Sequence, residues 1–229
     1  MLIINLYPVS AGGGLQNAFS FLEELKRQGV SLTCYIIYVR ENSELELFCI
    51  NNGLNYKSFK TGKIGRIIYE LFTFKFQTKN YDTLIIFTLF GNCPFNSPKK
   101  AIKISGFARS NILESDIDFW DFLPQNKKII KKINDKIILF LMRKSHSVVL
   151  ETPRLVNIAL KSKCFRDAKI FLVSMSPSSY IVDKLFKVPK LNVEIKNNVR
   201  ILYIAGPHPN KNIHKLAKFF SILNRGEKN

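Results

Sequence analysis

Two glycine-bearing turns supply the residues best suited to chemistry. Near the C-terminus, Ile201-Leu-Tyr-Ile-Ala-Gly-Pro-His-Pro-Asn-Lys-Asn-Ile213 reads as a buried strand, a Gly/Pro turn and the start of a helix. Gly206 sits in that turn, and Lys211 and Asn212 sit at the helix start. Free N–H groups and the positive end of the helix dipole favour phosphate at such a point, and a lysine adds to the effect. Near the N-terminus, Gly12-Gly13-Gly14 follows a short apolar run, Leu2 to Tyr7. Glycines there let the chain turn sharply and let a ligand approach the backbone. They fall short of a dinucleotide fingerprint, because Asn17 stands where the third glycine belongs and no lone carboxylate ends the next apolar run at Arg40-Glu41. A tight turn without a ligand is the alternative reading.

Other patterns carry less. Asp116-Ile-Asp118 is a D-x-D pair of the kind that holds a divalent ion in nucleotide-sugar chemistry, but Asn111-Ile-Leu-Glu-Ser precedes it instead of an apolar strand. A solvated acidic loop fits it better. Lys60-Thr-Gly-Lys63 has Lys57 where a phosphate-binding loop requires glycine. His146, His208 and His214 form no metal-ligand spacing, so no metal is expected, and no serine-nucleophile elbow is present. Cys34, Cys49, Cys93 and Cys164 lie far apart without a C-x-x-C, which suits a reducing compartment.

Charge narrows the partners. With 35 basic and 17 acidic residues among 229, the formal net charge is +18. That surplus points to an acidic partner such as anionic lipid or a phosphorylated substrate. Much of it lies on Gln125–Lys144, where seven Lys/Arg, including Lys127, Lys128, Lys131 and Lys132, alternate with isoleucines. Such a helix can lie on an anionic membrane, or it can turn its apolar side to the core and its lysines to water. Both readings stand on sequence alone. Nucleic acid is not expected, since no recognition-helix or RNA-binding aromatic pattern occurs. No apolar run is long enough to cross a bilayer. A cytoplasmic chain, attached peripherally to the inner face of the cytoplasmic membrane, is the expected location.

The elements that must position these residues alternate. Leu2–Tyr7, Ser31–Val39, Tyr56–Phe59, Tyr81–Leu89, Lys100–Ser105, Ser147–Glu151 and Ala168–Val173 have strand length and apolar or β-branched character. Between them, Leu15–Leu25, Glu44–Asn51, Lys63–Phe76, Lys127–Lys144 and Pro153–Lys161 carry helical spacing. Strand–helix alternation predicts an α/β fold with a Rossmann-like, doubly wound parallel sheet. Residues 1–185 are expected to form this domain, 186–198 a linker, and 199–229 only the first strand and helix of a second domain.

In this order and spacing the chain resembles the N-terminal domain of a group 1 (family 4-like) GT-B glycosyltransferase, followed by the start of its C-terminal domain. The resemblance rests on Gly12-Gly13-Gly14, on Lys144-Ser-His-Ser-Val-Val-Leu-Glu-Thr-Pro153, and on Arg200 to Ile213. It implies a nucleotide-sugar donor in the cleft between domains, with Gly13, Gly14, Gly206, Lys211 and Asn212 near it. It implies a metal-independent transfer, with no cofactor, to an acceptor held on the N-terminal domain, here a lipid-linked glycan of a surface polysaccharide such as O-antigen. The chain departs from the family in three ways: Pro207 replaces the usual arginine, Ser105-Gly106 replaces His-Gly, and the glutamate pair of the C-terminal domain is absent. A truncated transferase is therefore one expectation. The other is a non-catalytic subunit that binds acceptor or membrane and relies on a second chain for donor binding.

Overall fold

The computed structural model describes residues 1–73, 83–114, 118–162, 164–165, 167–174 and 216–221. Seven strands, β1 (Leu2–Asn5), β2 (Tyr35–Arg40), β3 (Tyr56–Phe59), β4 (Ile85–Thr88), β5 (Ile102–Phe107), β6 (Ser147–Leu150) and β7 (Lys169–Leu172), form one sheet. Their order is β3-β2-β1-β4-β5-β6-β7, and every pairing is parallel. Parallel strands need crossovers, and helices supply all but the one from β4 to β5, which runs through turns: α1 (Gly12–Arg27), α2 (Glu44–Asn51), α3 (Gly62–Ile68) with a following π-helical turn at Tyr69–Thr73, α4 (Ser110–Leu113), α5 (Gln125–Met142) and α6 (Pro153–Ser162). The fold is the expected doubly wound α/β sheet. Its winding reverses between β1 and β4, which makes that junction the switch point.

Both sheet faces are covered, which explains why the inner strands read as unbroken apolar runs. On one face Ile4, Leu6, Ile37 and Val39 pack against Leu15, Ala18 and Leu22 of α1 and Leu45 and Cys49 of α2. On the other, Ile3, Tyr7, Tyr38 and Ile86 pack with Tyr69. A third cluster joins Phe107, Val148 and Leu150 to Met142 of α5 and Leu155 and Ala159 of α6. The start of α2 is fixed by Ser43, whose Oγ accepts from the Glu46 amide (3.2 Å) while Glu46 Oε2 accepts from the Asn42 amide (2.6 Å).

Several boundaries differ from the sequence expectation. The run from Ser31 begins as a turn, in which the Cys34 amide donates to Ser31 O (3.0 Å) and the Ser31 and Thr33 hydroxyls pair (2.9 Å). Strand β2 therefore starts only at Tyr35, because local hydroxyl bonding outcompetes the ladder. The acidic stretch contains the short α4, closed by Glu114 N donating to Ser110 O (3.0 Å). The expected linker 186–198 and most of 199–229 lie outside the described residues; 216–221 is helical.

Candidate functional site

The site is built where the carboxyl ends of β1, β4 and β5 meet. After β1 the chain passes through Pro8 and Val9 to Ala11, whose backbone is extended and whose side chain caps nothing. Gly12 then takes φ +66, a conformation that disfavours side chains, and α1 begins. No acidic residue occupies the first turn of α1. The amides at its start thus have no side-chain acceptor, and the helix dipole is left uncompensated on that side.

Across the gap, β4 leads through Leu89 into the loop Phe90-Gly91-Asn92. Gly91 takes φ +117, and its amide donates to the carbonyl of Gly106 (2.9 Å). Gly106 itself admits no side chain, since a Cβ there would lie 1.8 Å from Leu89 O. This contact clamps the loops after β4 and β5 together. The Phe90 ring sits against the start of α1, 3.4 Å from where a Cβ on Gly14 would stand. Between these loops lies a cavity of about 290 Å³ whose lining includes Ser10, Gly14, Phe90, Asn92 and Arg109. Among the described residues the Arg109 guanidinium has no hydrogen-bond or ion-pair partner.

Beneath the loops that line this cavity, and not lining it themselves, buried side chains form a polar, bonded floor. Tyr69 OH donates to Asn5 Oδ1 (2.7 Å), and Asn5 Nδ2 donates to Thr88 Oγ1 (3.1 Å). Thr88 Oγ1 donates to Cys93 Sγ (3.6 Å), which lies 3.5 Å from Ser105 Oγ; Ser105 and Ser145 pair at 2.7 Å. Six buried side chains thus link β1, β4 and β5 to the segment before β6. Burial pushes both the Tyr69 hydroxyl and the Cys93 thiol above their ordinary pKa values, so the chain stays neutral. A neutral, fully bonded floor fixes the loops without competing for an anion above it.

The cavity opens along α5. A second space of about 450 Å³ shares Glu70, Asn92, Arg109 and Ile138 with the first and continues to Trp120, Lys131 and Asn134. A third, about 410 Å³, shares Trp120 and Asp135 with the second. Trp120 Nε1 donates to Asp135 (2.7 Å), Asn111 donates to the same carboxylate (3.2 Å), and Lys131 lies 5.2 Å above the indole. Asp118 is held by Lys128 (2.7 Å) and Lys132 (3.1 Å), whose hydrogen bonds pull its carboxyl down to about 2. Glu70 accepts from the Phe95 amide (3.2 Å).

Of the residues singled out in the sequence, Gly13 and Gly14 begin α1, and Gly14 borders the cavity. Gly206, Lys211 and Asn212 lie outside the described residues. Lys127 is exposed, Lys128 and Lys132 are tied to Asp118, and Lys131 covers Trp120. Asp116 lies outside the described residues, while Asp118 of the same pair already has two lysine partners. Arg109, Asn92 and Asn5 were missed; glycine followed closely by a polar residue after an apolar strand, as in Gly91-Asn92 and Gly106–Arg109, was the available signal.

Arranged this way, the site can hold an anionic group between the start of α1 and Arg109, with an elongated polar and aromatic trough leading away from it. Among the described residues no helix is long and apolar enough to cross a membrane, and no group of three or more His, Cys, Asp or Glu is placed to hold a metal ion. No family model, curated protein or solved structure matches this chain.

Proposed function

We propose that the chain is the acceptor-side domain of a glycosyltransferase that moves a sugar from a nucleotide-sugar to a lipid-linked glycan of a surface polysaccharide such as O-antigen. One observation carries the reading: a cavity at the β1/β4 switch point, bordered by an uncapped glycine-rich helix start and by Arg109, which has no partner among the described residues. The diphosphate of the donor would sit between them, its charge met by the α1 amides, by Arg109 and, from the sequence, by Lys211. These fixed positive groups would stabilise the leaving diphosphate without a metal or cofactor. The trough past Trp120 and Lys131 offers length and an aromatic surface for the acceptor glycan. A place on the inner face of the cytoplasmic membrane agrees with such an acceptor and with the +18 charge.

The second reading, a non-catalytic subunit that binds acceptor or membrane beside a donor-binding partner chain, is favoured by the exposed apolar side of α5. Calorimetric titration with nucleoside diphosphates and nucleotide-sugars tests both. On the first reading, the chain binds one of them, and Arg109→Ala weakens binding roughly tenfold or more, as expected for a lost charged hydrogen bond. Unchanged affinity in that variant sinks the diphosphate assignment. Sugar transfer by the isolated chain excludes the subunit reading; vesicle binding without any nucleotide affinity favours it.

A further inference from the structure

Helix α5 presents its apolar stripe outward. Ile129, Ile130, Ile133, Ile137 and Phe140 are 50%, 60%, 52%, 50% and 57% exposed, and Met142 is the one buried residue of the helix. At about 100° per residue these five side chains fall within one arc of about 100°. Lys136 and, farther round, Lys132 (tied to Asp118) border that arc on one side and Lys127 on the other, while Lys131 lies on the inner side over Trp120. The one acid of the helix, Asp135, is turned away from the stripe to Trp120 and Asn111. The inner side of α5 is correspondingly mixed: Lys128 is engaged by Asp118 near its start, and Leu139 and Met142 join the core near its end.

The patch extends past the helix. Lys144 Nζ lies 4.9 Å from the Phe140 ring and 5.0 Å from that of Phe95, which is itself largely exposed. Phe95 in turn meets Glu70 through its amide, next to Leu71 and Phe72, both exposed.

We propose that this surface docks the chain onto an anionic lipid bilayer, with the α5 stripe in the interface and the flanking lysines among the headgroups. An acid-free apolar arc with cations on both borders matches the cross-section of such an interface: acyl chains below, negative charge on either side. The overall charge of +18 adds long-range attraction to the same partner. The docked orientation would bring the trough along α5 to the membrane. The inference does not rest on the transferase reading; it deepens the membrane-binding reading by naming the surface and the lipid class.

Vesicle flotation of the full chain tests it without nucleotide. Binding is expected to vesicles of phosphatidylcholine with phosphatidylglycerol, to weaken at high salt, and to be far weaker with phosphatidylcholine alone. Ile133→Glu together with Ile137→Glu should abolish binding. Lys127→Gln and Lys136→Gln combined should weaken it roughly 25-fold, at about fivefold per lysine. Unchanged melting curves confirm that these exposed substitutions leave the fold intact, and Ile133→Ser, a milder change, should give an intermediate loss. Equal binding to neutral vesicles, or none to either kind, overturns the proposal. So does concentration-dependent self-association that Ile133→Glu abolishes, because a second copy then covers the stripe.

Discussion

Helices α1 and α5, of 16 and 18 residues, both carry apolar side chains at helical spacing, yet they face opposite ways. Leu15, Ala18 and Leu22 of α1 are buried in the central core beside Ile4, Ile37 and Val39. The corresponding stripe of α5 faces outward, and the helix is held instead at its C-terminal end by Met142 and along its inner side by Asp135 and Lys128. The difference lies in what fills the other side of each helix. Around the buried stripe, α1 places exposed residues such as Glu24, Lys26 and Arg27; α5 directs a lysine and an aspartate inward, where each finds a partner. Helical periodicity identifies a stripe. Which way the stripe faces depends on whether the polar side has partners in the fold.

The comparison can be broken by substitution. Leu22→Ala in α1 removes a fully buried side chain and should cost about 2–5 kcal/mol in urea unfolding. Asp135→Ala should cost about 1–2 kcal/mol by removing two hydrogen bonds to a carboxylate. Because Trp120 is the single tryptophan, its emission should shift to the red in the same variant. The Asp118–Lys128–Lys132 contact should be sensitive to acid in a defined direction. Its folded pKa is depressed from the ordinary 3.8 to about 2, so its contribution is complete above 3.8 and is lost as the pH falls through about 2. Asp118→Asn should therefore flatten the change in Trp120 emission across that window. Smallest of all, Ile133→Ser on the outward stripe should change stability by no more than about 0.5 kcal/mol. A cost comparable to that of Leu22→Ala would show that the stripe is packed in solution.

Much of the fold was legible from local pattern. Glu44–Asn51 and Tyr56–Phe59 match α2 and β3 end to end, because a capping serine and a short β-rich run are local signals. The glycines after β1 were recognisable for the same reason. Arg109 and the buried polar chain were not. Asn5 meets Thr88 and Ser105 meets Ser145 only once the strand order is known, across separations of 83 and 40 residues. Arg109 becomes a site residue only because β1 and β4 flank the switch point and Gly106 clamps the next loop to it. For α5 the sequence left both orientations open, and the inward ties of Asp135 and Lys128 decide between them among the described residues.

The buried thiols give the fold an internal clock. Cys93 sits within the polar floor and Cys49 on the buried face of α2, and burial pushes the Cys49 thiol up to about 12. Neither meets solvent as a thiolate in the native state, whereas Cys34 is exposed. An alkylating reagent should modify the exposed Cys34 first and reach Cys93 only when the sheet opens. The lag of Cys93 behind Cys34 therefore measures how often the central strands part. A ligand that settles on the loops above the floor and binds only the closed state should lengthen that lag by a factor of one plus the free ligand concentration divided by its Kd.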